Sequence, residues 1–88
     1  MPLVDVSDRA RSDFLALVEY LYAPRARELI AAYTGMVDAL REHPELGTLQ
    51  TDGRTRVLRR GGYRFYYTFN ADRVYVLRIA DPRGPDGT

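Results

Sequence analysis

The chain has no cysteine and a single histidine, His43. Without cysteine there is no disulfide, no thiolate nucleophile and no sulfur ligand, and one histidine cannot build an all-histidine metal site. Redox chemistry and zinc are set aside, and no metal or cofactor is expected. Lysine is missing too: all thirteen basic residues are arginine, whose planar, permanently charged fork suits phosphate or carboxylate. Apolar runs are only a few residues long, so no segment suits a membrane span. Residues 1–6 lack the basic start and the roughly 7 to 15 apolar residues of a secretion signal. A cytoplasmic location with no membrane partner is the expectation.

What is present is enough for one folded domain. A chain of 88 residues with 45% apolar content and ten aromatics is too apolar for disorder. On folding it buries only about two-thirds of its extended surface, so a deep, water-excluding active site is not expected. The domain is expected over residues 1–80, with a mobile glycine- and proline-rich tail over 81–88. The net charge of +1 hides an asymmetry: residues 1–48 carry five arginines against eight acids, and residues 49–88 carry eight against four.

Periodicity divides the chain in two. Residues 3–6 alternate weakly and predict a short strand that ends at an N-cap, Ser7 or Asp8. Phe14, Leu17, Val18 and Leu21 then recur at helical spacing. Pro24 fits the first turn of a second helix, whose apolar stripe runs through Ala26, Leu29, Ile30, Tyr33, Val37 and Leu40. His43-Pro44 stops it, because a residue before proline leaves the helical region. So short a connection predicts an antiparallel helical hairpin. Residues 44–54 read as a loop.

Beyond the loop the period becomes two, which predicts strands at 54–60, 63–69 and 74–80, joined at Gly61-Gly62 and Asn70-Ala71-Asp72. On the middle strand Tyr63, Phe65, Tyr67 and Phe69 share one side, and Arg64, Tyr66 and Thr68 the other. On the last strand Tyr75, Leu77 and Ile79 oppose Val74, Val76 and Arg78. The helices need an apolar sheet face, and Phe65, Tyr67 and Phe69 with Leu77 and Ile79 supply it. Arg56, Arg64, Tyr66 and Arg78 are then expected on the uncovered side. The fold class is α+β: a short N-terminal strand and a helical hairpin on a small antiparallel sheet, in the order β-α-α-β-β-β.

This order, with His43-Pro44-Glu45-Leu46-Gly47, Arg56-x-Leu58, Gly62-Tyr63-Arg64-x-x-x-Tyr67 and Val76-Leu77-Arg78-Ile79, resembles the RelE/ParE superfamily of toxins from type II toxin–antitoxin systems. The resemblance covers nearly the whole chain. It implies a growth-inhibiting bacterial toxin, of the kind that stabilises plasmids, held in a hetero-oligomer by a cognate antitoxin. RelE-like members cut mRNA on the ribosome with basic residues of the sheet. ParE-like members poison DNA gyrase and lack that catalytic set. Arg64 stands where RelE-like toxins keep a catalytic arginine, and Arg83 falls within about a residue of a second. Against that, Thr55 and Val57 stand where lysines are kept, no tyrosine follows Arg83, and the chain ends at Thr88 without the C-terminal helix of some relatives. Arg56 ahead of Leu58, Gly61-Gly62-Tyr63, Tyr67 and Leu77-Arg78-Ile79 fit the ParE pattern better. An inactive module that only titrates an antitoxin is a third reading.

Arg54, Arg56, Arg59, Arg60 and Arg64 crowd two adjacent strands, where they can steer a polyanion or an acidic antitoxin segment. Charges that merely keep a sheet edge soluble would look alike, above all at Arg59 and Arg60. Arg64 and Arg78 are the stronger candidates, with Arg56, Arg59 and Tyr66 completing a target- or antitoxin-binding set. Cleavage through a 2′-hydroxyl needs a base and an acid as well as charge stabilisation, and arginine supplies only the last. Tyr63, Tyr66 and Tyr75 read first as packing residues, and His43 as a helix-end cation. Asp5, Asp8 and Asp13 are too spread for a metal site. Tyr33 lies on the core stripe, whereas Tyr20 and Tyr22 border it as an interface or a rim around Pro24.

Overall fold

A computed structural model of the chain describes residues 2–82. In chain order the elements are β1 (Leu3–Val6), α1 (Asp8–Tyr20), α2 (Ala23–Glu42), a 3-10 turn (Pro44–Leu46), β2 (Thr48–Leu49), β3 (Arg56–Arg60), β4 (Tyr63–Phe69) and β5 (Arg73–Ala80). The strands form one sheet in the order β1-β5-β4-β3-β2. β1 runs parallel to β5, and the other pairings are antiparallel.

Ser7 starts α1 and fastens it to the sheet. Its hydroxyl accepts the Ala10 N–H at 3.0 Å and donates to the Leu77 carbonyl at 3.0 Å, satisfying one free donor of the helix end. Pro24 sits in the first turn of α2, and the His43 N–H closes that helix on the Ala39 carbonyl before Pro44 ends it. The buried residues of α2 are Leu29, Ala32, Met36 and Leu40. Ile30, expected on the stripe, is 48% exposed, because the buried row follows the spacing 29, 32, 36, 40 and leaves position 30 on its flank.

Two parts of the sheet differ from the expectation. β3 begins at Arg56, not at residue 54, because the Asp52 carboxylate holds the turn: it accepts the N–H groups of Arg54 and Thr55 and the Thr55 hydroxyl. β2, inside the segment read as loop, pairs Thr48 with Val57 and Leu49 with Arg56. Gly61 and Gly62 have φ of 60° and 85°, as a two-residue hairpin turn with positive φ at both centres requires.

The larger correction is in β5. Val74 and Val76 are fully buried beside Phe69 and Tyr67, while Tyr75 pairs with Thr68 on the other side. The register then slips, so that Tyr67 opposes Val76 but Tyr66 opposes Arg78. Leu77 is the extra residue of a bulge, and the strand resets its parity there. Val74, Val76 and Ile79 therefore all reach the core, with Leu58, Phe65 and Tyr67 beside them and Leu17, Leu29, Met36 and Leu40 from the helices.

Asp81, assigned from sequence to the tail, is 2% exposed and its carboxylate takes the Arg25 guanidinium at 3.3 Å. The rest of the expected tail, residues 83–88, lies outside the described residues.

Candidate functional site

A tyrosine and an arginine from neighbouring strands hold the loop that walls the site. The Tyr67 hydroxyl donates to the Pro44 carbonyl at 2.6 Å and accepts the Gly47 N–H at 2.7 Å. Burial pushes the Tyr67 phenol above its ordinary pKa, so it stays protonated and keeps the donor that Pro44 needs. Arg56 Nη1 donates to the carbonyls of Glu45 at 3.0 Å and Gly47 at 2.8 Å, and its guanidinium stands 5.7 Å from the Phe69 ring centre.

Arg56 is thus not on the uncovered face where the sequence placed it. Its cross-strand partner is Tyr67, and opposed residues in a sheet share a side. Arg56 therefore lies on the helix side and closes the turn after α2. Arg60 pairs with Tyr63 and also lies on that side, against α2 at Gly35. Arg54 is in the exposed turn.

What remains on the open face is a smaller set. Rows across the strands read Arg59–Arg64–Ala80, Val57–Tyr66–Arg78 and Thr68–Tyr75–Asp5. Two arginines of the sheet are neutralised: Arg73 by Asp5 at 2.7 Å and Arg78 by Asp13 at 3.5 Å. Asp13 also accepts the Ile79 N–H at 3.0 Å and takes Arg9 on its other oxygen. Arg59 and Arg64 have no acidic partner among the described residues. They lie directly opposite each other, an arrangement of like charges that costs stability unless something binds there.

Beside them is a cavity of about 330 Å³, lined by Leu46, Gly47, Thr48, Gln50, Val57, Leu58, Arg59, Arg64 and Tyr66. Leu46, Val57 and Leu58 give it apolar lining, and Arg59, Arg64 and Tyr66 bring two guanidinium groups and a phenol. No histidine, aspartate or glutamate lines it, so the site can bind and polarise an anion but offers no carboxylate or imidazole to move a proton. Arg83 lies outside the described residues. His43 caps α2, and no group of three or more His, Asp or Glu among the described residues could hold a metal ion.

Sequence reasoning missed the loop wall of this cavity, although His43-Pro44-Glu45-Leu46-Gly47 was the signal for it. It also missed a second groove of about 500 Å³ lined by Val4, Asp5, Val6, Arg11, Phe14 and Tyr33. There the Tyr33 and Phe14 rings meet at 5.1 Å, so Tyr33 packs as expected but also borders an opening. Tyr20 and Tyr22 are 59% and 66% exposed at the hairpin connection.

The fold, a helical hairpin on one side of such a sheet, is similar to that of solved toxin–antitoxin systems. One is the chromosomal ParDE system of P. aeruginosa, with a TM-score of 0.73 at 16% identity, covering 92% of this chain and 96% of that one. Another is the RelBE2 toxin–antitoxin complex of Mycobacterium tuberculosis, with a TM-score of 0.68 at 26% identity, covering 92% and 99%. A search of curated proteins found no match. Residues 4–83 match the ParE toxin of the type II toxin–antitoxin system parDE, and the chain belongs to that family.

Proposed function

We propose that this protein inhibits growth by binding a large cellular target through the open face around Arg59, Arg64 and Tyr66, and that a cognate antitoxin silences it by occupying its surface. The observation that carries this is the facing, un-neutralised pair Arg59–Arg64 on the rim of a cavity that no histidine, aspartate or glutamate among the described residues lines. Binding needs only charge, shape and some apolar lining, all of which are present; cleavage through a 2′-hydroxyl needs proton transfer as well. DNA gyrase is the target that membership of the ParE family suggests.

A second reading, ribosome-dependent cleavage of mRNA, draws on the half-buried Arg64 two residues from Tyr66 on this same face. Induced expression separates the readings. Loss of plasmid supercoiling with a DNA-damage response supports the first, and fragmented mRNA with intact supercoiling supports the second. Unimpaired growth by a soluble, folded chain defeats both.

A further inference from the structure

We infer that a cavity at the start of β3, distinct from the one beside Arg64, binds a single nucleotide, with its base edge read by the Phe69 backbone and its phosphate met by Arg54. The cavity holds about 480 Å³, within the roughly 300–1,000 Å³ of small-ligand sites. This inference does not rest on the toxin reading.

The backbone comes first. The Asn70 N–H donates to the Arg73 carbonyl at 2.9 Å, and Thr68 pairs with Tyr75 and Phe69 with Val74. Because an antiparallel ladder alternates, Thr68 turns its N–H and C=O towards β5, and Phe69 turns both towards β3. The pairing of Arg56 with Tyr67 would set Arg54 opposite Phe69. However, β3 begins at Arg56, and Arg54 gives its N–H to Asp52 Oδ1 at 2.9 Å. Phe69 therefore presents a donor and an acceptor side by side to the cavity that it lines, with no strand residue opposite.

One such couple is too little for a polypeptide strand. β3 covers the edge of β4 as far as Tyr67, and β4 ends at Phe69, so an added segment could pair at one residue only. A nucleobase needs no more than that: adenine, for one, sets a ring-nitrogen acceptor beside its N6 amino donor.

Side chains supply the rest. Tyr75 shares the open face with Thr68, Arg56 shares the helix side with Tyr67 and Phe69, and both line the cavity. A base lying in the plane of the sheet is thus flanked by a phenol on one side and a guanidinium on the other, and both groups stack on flat rings. Tyr75 is 38% exposed, which leaves ring surface for this contact. Arg56 Nη1 is committed to the Glu45 and Gly47 carbonyls, so Arg56 offers a flat cation and leaves the phosphate to Arg54. Arg54 lines the cavity, is exposed and has no ion-pair partner among the described residues. Asp52 in the same turn has both oxygens engaged by Arg54 and Thr55 donors. One free cation suits one phosphate, and not the row of them along a nucleic-acid strand.

The test titrates the full 15N-labelled chain with adenosine 5′-monophosphate. Ribose 5-phosphate is the control without a base, and a ten-nucleotide oligoadenylate is the longer ligand. The expected result is saturable shifts of the Phe69 amide and of the Arg54 side-chain Nε–H signal. Tyr75→Ala and Arg54→Gln each weaken binding about fivefold, as loss of a stacked ring or of a partly exposed charge pair does. Substitution of the exposed Arg27 on α2 by glutamine leaves it unchanged. Equal binding of ribose 5-phosphate, indifference to both Tyr75→Ala and Arg54→Gln in variants with native spectra, or no shift of these signals overturns the proposal. So does an oligoadenylate that binds about tenfold or more tightly than the mononucleotide, since that gain marks a track of phosphates. Growth arrest plays no part in the readout, so failure of the toxin reading would leave this result standing.

Discussion

The Tyr67 hydroxyl and the Gly47 amide meet at 2.7 Å across twenty residues of sequence, and the same hydroxyl holds Pro44 at 2.6 Å. Tyr67→Phe leaves the ring in the core and strips a buried N–H and a carbonyl of their partner. Each orphaned group costs about 1–3 kcal/mol. Thermal unfolding should show a lower midpoint by several degrees, with amide exchange rising first at residues 44–48. A variant as stable as the parent would mean that water replaces the hydroxyl without loss.

Gly47 and Gly35 make a matched pair for testing how space decides tolerance. A Cβ on Gly47 would stand 2.7 Å from Tyr67 Cε1, 2.8 Å from its hydroxyl and 2.9 Å from the Val57 carbonyl. The carbonyl is backbone and the ring is packed, so Gly47→Ala should destabilise by about 1–3 kcal/mol. At Gly35 the nearest atoms belong to the Arg60 guanidine group, with Nε at 2.7 Å, and that side chain can swing away. Alanine then gains helix propensity of about 0.8–1 kcal/mol. Urea midpoints should fall for Gly47→Ala and hold or rise for Gly35→Ala.

Arg64→Ala should separate function from stability. It removes one of two facing like charges on a sheet, and such pairs are destabilising by some tenths to about 1 kcal/mol. The expected outcome is a variant at least as stable as the parent whose expression no longer arrests growth. Normal growth inhibition by a folded Arg64→Ala protein would remove Arg64 from the site.

Much of this architecture was legible because it rests on periodicity and turn chemistry. The range of β4, the Ser7 cap, the stop at Pro44 and the Gly61-Gly62 turn each follow from a local preference that the tertiary structure does not override. The errors share one cause. Leu77 and Arg56 were assigned to faces by counting in twos, and neither a bulge nor a cross-strand register is visible in one strand's own sequence. That is why the binding face lost Arg56 and kept Arg59, and why the loop wall contributed by Leu46 to Thr48 went unread.

The turn after β2 gives the fold an acid-sensitive element. Asp52 is held at a pKa of about 2, against an ordinary 3.8, by the Thr55 hydroxyl first and then by the Arg54 and Thr55 amides. A lowered carboxyl pKa means that the folded state favours the charged form. Its contribution is complete above about pH 4 and is lost as pH falls through 2. Asp52→Asn should therefore flatten the acid limb of a stability-against-pH curve between pH 4 and 2, followed by urea midpoints. An unchanged acid limb would show that the turn does not report on folding.

Asp13 offers a way to alter the charge of the open face from the helix side. One of its oxygens accepts the Ile79 N–H at 3.0 Å and lies 3.5 Å from Arg78 Nε. Asp13→Asn keeps an acceptor for the amide but releases Arg78, whereas Asp13→Ala removes both. The first should cost under about 1 kcal/mol, as partly exposed ion pairs do, and the second about 1–3 kcal/mol, because a strand N–H beside the core loses its partner. If the open face attracts acidic partners by its charge, Asp13→Asn should also quicken association at low salt, an effect that fades as ionic strength rises. Stopped-flow mixing with a synthetic glutamate-rich peptide at two salt concentrations measures this. An association rate indifferent to both the substitution and the salt would show that charge on this face does not guide the encounter.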